Sequence, residues 1–263
     1  MSRAHAARWW AKFSVVGAAL LALANGGAVA RPLADLQVSK QLSLCANPNA
    51  LPFAAEKGEL PGFQIEIARA LAKRLGFELQ VMWIVPRYRA GLVDCDMLMD
   101  TILSPGVEQR GLRPSVPYQV SGVGLVFAPG QTTVPDYKSL RSGMRVGVMM
   151  NSLASLVVSR TDASMVPFGF EEDMIEAVAR GDVQAGAVSP AAAGYYNLRH
   201  PNQRLTMVRA QDHEPDLRWN LAVGLRRADD ALVDAVNAAL KTLLDDGTIR
   251  AIYARYGIEH RRP

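Results

Sequence analysis

Two groups of acidic side chains are the first candidates for chemistry in this sequence, because paired carboxylates can act as general acid and general base. Asp94 and Asp96 flank a cysteine, and residues 171–173 read Glu-Glu-Asp. Consecutive acids are also typical of the first turn of a helix, where the helix dipole stabilises negative charge without any catalysis. The sequence contains no Gly-x-Ser-x-Gly elbow, no phosphate-cradling Gly-rich loop and no Gly-x-Gly-x-x-Gly fingerprint. These observations do not favour an enzyme.

The first 30 residues have the pattern of a secretory signal peptide. A basic stretch ends at Lys12, an apolar run of 11 residues covers residues 13–23, and Ala28-Val29-Ala30 follows. The alternative is an N-terminal membrane anchor, but a spanning helix needs about 20 apolar residues. We therefore predict cleavage after Ala30 and a periplasmic location for the mature protein.

The sequence has two cysteines, Cys45 and Cys95. Because the chain is predicted to be exported to an oxidising compartment, they can form a disulfide. We expect a disulfide between them, and the alternative is two buried free thiols. His200 and His213 lie in polar segments and His260 near the C-terminus, where solvated histidines are expected. No Cys/His cluster has zinc spacing, and there is no Cys-x-x-Cys, so we expect neither a metal site nor a cofactor.

Length, composition and charge exclude several classes of protein and of partner. With 263 residues, 49% hydrophobic and 21% charged, the chain is neither a disordered tail, a collagen-like repeat nor a disulfide-dense miniprotein. Three of the 29 basic residues fall in the leader, which leaves 26 against 25 acidic residues. A nearly neutral mature chain gives no electrostatic reason to expect nucleic acid as a partner.

The first part of the mature chain predicts a parallel α/β unit. Residues 42–45, 78–85 and 97–99 are short apolar or alternating runs typical of strands. Residues 64–75 have apolar side chains at the 3.6-residue period of a helix, and Gly76 is a natural stop. Strand, helix, strand is the repeating unit of a parallel sheet.

From about residue 123 the same alternation begins again, which indicates a second lobe. We predict strands at 123–127, 145–148, 166–168, 185–188, 205–208 and 221–225, and helices at 152–159, 171–180 and 191–198, from 229, and at 249–256. The prediction is two α/β lobes: residues 31–122 and 220–263 form the first, and residues 123–219 form the second. The strands near 123–127 and 219–225 would cross between them.

Several short motifs, in their order and spacing, resemble one known family over almost the whole mature chain. They are Leu44-Cys45-Ala46 with Leu51-Pro52-Phe53, Gly62-Phe63-Gln64-Ile65-Glu66-Ile67-Ala68, Pro117-Tyr118-Gln119-Val120-Ser121-Gly122, Arg145-Val146-Gly147-Val148 and Asp246-Gly247-Thr248-Ile249. Together they resemble the family 3 extracellular solute-binding proteins of bacterial importers. The resemblance implies a two-lobed periplasmic-binding-protein-like clamp with two hinge crossings. Such a clamp works as a monomer that closes on a small polar or anionic molecule and delivers it to the membrane subunits of an ABC importer.

Within that family, some segments are most similar to the subgroup associated with periplasmic quinoprotein (PQQ) alcohol dehydrogenases. These are the run from Cys45 to Phe53, Cys95-Asp96, Ala193-Gly194-Tyr195-Tyr196 and the run from Trp219 to Arg227. Between Val85 and Met97 the chain is shorter than in such proteins, which usually carry a further helical turn there. The subgroup implies an alternative function, an accessory protein that binds a PQQ-dependent alcohol dehydrogenase or its cytochrome.

The resemblance also implies which residues bind the ligand. Arg110, with Arg113 as a competing candidate, takes the place of an arginine that holds the ligand carboxylate. Ser189 aligns with an aspartate that often holds the ligand ammonium, and a hydroxyl there cannot supply the charge. Gln64 also replaces an acid usual in the opening helix motif. We therefore expect a carboxylate, alcohol-derived or uncharged small molecule rather than an α-amino acid.

Further candidates carry alternatives that the sequence leaves open. Asn151 and Ser152 follow a predicted strand and open a helix, so they could receive an anion or simply cap the helix. Phe53, Tyr118 and Tyr196 could line the cleft or pack in a core. An enzyme resembling cyclohexadienyl dehydratase, a clamp protein that acts on cyclic acids, is the least favoured reading.

Overall fold

The computed structural model describes residues 31–84, 93, 95–103 and 111–263. The predicted signal peptide, Arg110 and most of the shortened segment between Val85 and Met97 lie outside these residues. In the part of the chain that is described, no helix has the length and apolar character needed to cross a membrane.

Twelve strands and seven helices lie within the described residues. The strands are β1 (Gln41–Ala46), β2 (Asn49–Ala50), β3 (Ala54–Ala55), β4 (Glu78–Trp83), β5 (Met97–Leu103), β6 (Leu112–Gly122), β7 (Gly124–Phe127), β8 (Arg145–Met149), β9 (Ser164–Phe168), β10 (Ala185–Val188), β11 (Thr206–Val208) and β12 (Arg218–Arg226). The helices are α1 (Leu33–Ser39), α2 (Phe63–Leu75), α3 (Leu153–Val158), α4 (Glu171–Arg180), α5 (Pro190–Arg199), α6 (Asp230–Asp245) and α7 (Thr248–Arg255). A short 3-10 helix covers Ala210–His213, between β11 and β12.

The first sheet has the order β4-β1-β5-β12-β6. β1 runs parallel to β4, with Gln41 opposite Glu78 and Ala46 opposite Trp83, and parallel to β5. The predicted strand, helix, strand unit is therefore present as β1, α2 and β4. Helix α2 ends where Gly76 takes the left-handed conformation, with φ of 77°.

The second sheet has the order β11-β7-β10-β8-β9. β8, β9 and β10 are mutually parallel, whereas β7 and β11 are antiparallel to their neighbours. Leu125 and Phe127 join the core on one face with α3, and Val126 joins the core on the other face with α4. Helices on both faces of a mostly parallel sheet are typical of an α/β fold.

The cores of the two sheets are largely separate. The first sheet packs against α2, α6 and α7 in one cluster, to which the second part of the chain contributes Ala191. The predicted two-lobed α/β architecture is confirmed. Between the sheets, β6 leads into β7 at Gly122, where a Cβ atom would lie 2.2 Å from the Leu217 carbonyl oxygen at the start of the return strand β12. Glycine permits this close approach of the two crossings.

The predicted disulfide between Cys45 and Cys95 is present and joins the end of β1 to the residue that precedes Asp96. Asp96 is buried beside it. One carboxylate oxygen accepts hydrogen bonds from the Ser43 N–H at 2.8 Å and hydroxyl at 2.6 Å, and the other lies 3.3 Å from the Arg31 guanidinium. Asp96, one of the acidic residues singled out in the sequence, thus has a structural role, and Asp94 lies outside the described residues.

Some elements differ from the prediction. Helix α1 was not predicted, and β5 continues to Leu103 instead of ending at residue 99 because it is paired along its length with β12. β6 contains Pro114 and Pro117, which have no backbone N–H to donate to a neighbouring strand. The strand tolerates both because it lies at the edge of the first sheet.

Candidate functional site

The carboxyl ends of the parallel strands in the second sheet bring three chain segments to one edge. Met149 at the end of β8 lies opposite Phe168 at the end of β9, and the Met150 N–H donates to the Phe168 carbonyl at 3.0 Å. β10 ends beside them at Val188. The predicted residues Asn151, Ser152 and Ser189 therefore lie at the same edge, which is where open α/β sheets bind ligands.

Ser189 is bound to a carboxylate that the sequence did not place here. The Ser189 N–H donates to one oxygen of Glu171 at 2.5 Å, and its hydroxyl donates to the other at 3.1 Å. The same hydroxyl accepts from the Ala192 N–H at 3.2 Å, so Ser189 is the N-cap of α5.

Burial raises the pKa of Glu171, and the two hydrogen bonds from Ser189 partly offset that effect by stabilising the charged form. Within the described ranges, no basic side chain pairs with this carboxylate. The site therefore holds a partly buried acid for which the described residues supply no counter-charge.

Asn151 and Ser152 have different local roles. Asn151 is exposed and has a left-handed backbone, with φ of 56°. The Ser152 hydroxyl accepts from the Ser155 N–H at 3.1 Å and donates to the Met149 carbonyl at 2.7 Å. Plain capping, the alternative left open by the sequence, accounts for both bonds of this hydroxyl.

Replacing Ser152 with alanine should lower the free energy of unfolding by about 1 kcal/mol, because the first turn of α3 loses its cap. Urea denaturation followed by circular dichroism measures the change. Ser159→Ala is a matched control, since the exposed Ser159 hydroxyl donates only to the Leu156 carbonyl. A Ser152→Ala variant as stable as the wild type would show that this hydroxyl does not stabilise the helix.

Phe53 lies in the loop after β1, half-buried, with its ring 5.2 Å from that of Phe63. From Phe63 the row of rings continues to Tyr256 at 6.1 Å, and Tyr256 lies 6.3 Å from Tyr195 on α5. Because Ser189 caps α5, this row of rings connects the loop that holds Phe53 to the helix that starts at the carboxyl edge of the second sheet.

The two predicted tyrosines lie in different surroundings. Tyr118 is fully buried in the first core, and its hydroxyl donates to the Met99 carbonyl, so it packs in the core and presents no surface to a ligand. Tyr196 is half-buried on α5 and stacks on His200 at 4.1 Å. Burial raises the pKa of the Tyr196 hydroxyl.

The arginine candidates separate clearly. Arg110 lies outside the described residues. Arg113 donates to the Ala228 carbonyl at 3.1 Å and to Asp230 at 2.5 Å, which ties it to the start of α6.

His260, expected to be solvated, is instead half-buried: its ring donates to the Tyr118 carbonyl at 2.8 Å, and burial lowers its pKa.

Glu171 is the residue of this edge that sequence reasoning missed. Its place at the start of an acidic first turn is fully explained by the helix dipole, and it is 18 residues from Ser189. Only the parallel pairing of β8, β9 and β10 brings the two together. Among the described residues, no group of three or more His, Cys, Asp or Glu side chains is arranged to hold a metal ion.

Comparison with known proteins gives a consistent result. Residues 42–259 match the model of the bacterial extracellular solute-binding proteins, family 3. A probable histidine-binding protein of Neisseria gonorrhoeae is 23% identical over 262 residues, covering 94% of each chain.

Among solved structures, an ancestral cationic amino acid solute-binding protein is similar, with a TM-score of 0.70 at 21% identity over 86% of this chain and 99% of that one. The L-cystine solute receptor of Neisseria gonorrhoeae, in its unliganded open conformation, has a TM-score of 0.69 at 18% identity, over 87% and 99%. The family model spans both sheets and the crossings between them. This chain belongs to the bacterial extracellular solute-binding proteins of family 3.

Proposed function

We propose that this protein captures a small polar molecule between its lobes and delivers it to an ABC importer without changing it chemically. The observation that carries the proposal is the family match over both lobes. The edge of the second sheet supports it, because Asn151, Ser189 and the Glu171 carboxylate converge there and α5 faces the first lobe.

The proposed binding residues combine the placements above with Arg110, which is proposed from the family resemblance alone. They are Phe53, Arg110, Asn151, Ser152, Ser189 and Tyr196, together with Glu171. Tyr118 is left out because its side chain is buried in the first core. In the proposed division, the chain passes from the first lobe to the second after residue 122 and returns to the first after residue 219.

We further propose an amino-acid-like ligand. The expectation of a ligand without an ammonium group rested on Ser189 and Gln64, which stand where the family often has acids. In the structure the Glu171 carboxylate lies against Ser189 and has no basic partner among the described residues, so it can balance a ligand ammonium. The histidine- and cystine-binding relatives also support this ligand class.

A thermal-shift screen of the mature protein tests the proposed function. The panel contains the common amino acids, cystine, and for each a deaminated and an uncharged analogue. A ligand at about 100 times its Kd should add about 2.7 kcal/mol to the free energy of unfolding. Uptake of the hit by cells with and without the gene then tests delivery. Stabilisation by no compound would contradict the proposal.

Glu171→Gln should weaken binding of an ammonium-bearing hit about 10- to 100-fold, because the amide keeps the size of the side chain but cannot balance the charge. Since burial raises the pKa of Glu171, protonation begins at a higher pH than for an ordinary glutamate. Wild-type affinity should therefore fall as the pH is lowered into the acidic range, and the Glu171→Gln variant should lose this dependence. Calorimetric titration at several pH values measures both effects.

Glu172→Gln is the matched control, since Glu172 is the exposed neighbour in the same helical turn. It should bind the hit as the wild type does. If deaminated or uncharged analogues bind and Glu171→Gln has no effect, solute binding stands and the role of Glu171 fails.

The accessory role toward a quinoprotein dehydrogenase stays a prediction from the subgroup resemblance. Recovery of such a dehydrogenase with protein taken directly from the periplasm would support it. Our proposal also expects no turnover of prephenate-like cyclic acids, and formation of a product from them would contradict it.

A further inference from the structure

We propose that residues 257–262, which we name the C-terminal strap, form a third link between the two lobes and hold them in the arrangement described. The two crossing strands alone would permit rotation of one lobe against the other. This rotation does not depend on which ligand the protein binds.

The backbone of the strap is fixed to the first lobe. Ile258 is buried in the first core. The Val120 N–H donates to the Arg261 carbonyl at 2.9 Å, and the His260 ring donates to the Tyr118 carbonyl at 2.8 Å. The strap therefore follows the last residues of β6, immediately before the chain crosses into the second sheet.

The side chains of the strap reach the second lobe. Arg261 donates to both carboxylate oxygens of Asp212, at 2.8 and 3.1 Å, and Glu259 pairs with Arg209. Asp212 belongs to the 3-10 helix at Ala210–His213, whose Ala210 is fully buried in the core of the second sheet. Alternate positions along the strap thus bind different lobes.

A backbone contact forms the other end of the link. A Cβ atom on Gly194 of α5 would lie 2.5 Å from the Gly257 carbonyl oxygen, and one on Gly257 would lie 2.7 Å from the Gly194 carbonyl oxygen. Two glycines are needed for this approach. Helix α5 belongs to the second lobe, so Gly257 touches that lobe while Tyr256 beside it is buried in the first.

These contacts have a mechanical consequence. Rotation of the lobes must separate Arg261 from Asp212 and Glu259 from Arg209, or slide α5 over Gly257. The ion pairs are partly exposed, with Arg209 44% and Glu259 70% accessible, so each adds a modest preference and does not lock the lobes. The strap sets the population of rotated states and leaves them accessible.

Distance measurements between the lobes test this inference. Spin labels at Lys73→Cys on α2 and Lys138→Cys report the separation, and both lysines are exposed. The two native cysteines are joined in the disulfide and do not compete for label. The wild type should give one dominant distance.

In the Glu259→Ala/Arg261→Ala variant, the population at other distances should rise roughly threefold to tenfold, and about 1 M NaCl should act on the wild type in the same direction. Arg262→Ala is the matched control, because Arg262 pairs with Asp245 of α6 inside the first lobe. It should leave the distribution unchanged.

Charge reversal separates a specific link from a general loss of structure. Arg209→Glu should broaden the distribution, and the addition of Glu259→Arg should restore it. Identical distributions in the wild type and the Glu259→Ala/Arg261→Ala variant would overturn the inference. So would a reversed pair that stays as broad as Arg209→Glu alone.

Discussion

Replacing Asp96 with alanine is expected to lower the free energy of unfolding by about 2–4 kcal/mol, because it leaves two buried donor groups of Ser43 without their acceptor. Asp96 is only 3% exposed, and its carboxylate accepts two hydrogen bonds from Ser43 and pairs with Arg31. Without it, the buried Ser43 N–H and hydroxyl lose their acceptor, and the partly exposed Arg31 guanidinium loses its ion pair.

Urea denaturation of the mature protein measures this loss. Asp96→Asn should fall between the wild type and Asp96→Ala, since the amide oxygen still accepts from Ser43 while the charge is lost. Asp162→Ala, at an exposed position, is the control and should change the free energy by less than about 0.5 kcal/mol. An Asp96→Ala variant within 1 kcal/mol of the wild type, on the order expected for an ordinary surface change, would contradict the structural role of this carboxylate.

Removal of the disulfide by Cys45→Ala/Cys95→Ala should cost about 4 kcal/mol, because the cross-link closes a 50-residue loop and restricts the unfolded chain. Both cysteines are buried and pack with Ile84. Denaturation of the wild type with and without reductant gives a second measurement of the same quantity.

The double alanine variant itself is insensitive to reductant, which makes it the control for that comparison. Equal stability of the reduced and oxidised wild type would contradict the prediction. Because Cys95 and Asp96 are adjacent and both hold the start of β5 against β1, the triple variant should lose less than the sum of the two effects.

Much of the fold could be predicted because it depends on local patterns. The period of residues 64–75 and the stop at Gly76 define α2, and the acidic turn at residues 171–173 starts α4 at Glu171 as expected. The alternation of strands and helices then gives two α/β lobes. What local pattern cannot give is pairing between distant segments, and this is why the full length of β5 against β12 was missed.

The candidate site shows the same division. The positions of Asn151, Ser152 and Ser189 after strands follow from the sequence. The acidic side chain at this edge, Glu171, belongs to α4, whereas Ser189 caps α5. No spacing rule in the sequence links the two residues. Tyr118 could not be assigned either, because an aromatic strand residue four positions before the crossing at Gly122 could face either a core or a cleft.

The place of β12 in the first sheet has a consequence for the order of assembly. β12 lies between β5 and β6, although it follows the whole second sheet in the chain. When the chain emerges amino terminus first, the strands β7 to β11 follow one another without interruption and can form their own sheet. The first sheet lacks the strand between β5 and β6 until β12 is available, near the end of the chain. The second lobe, although it emerges later, can therefore complete its fold first.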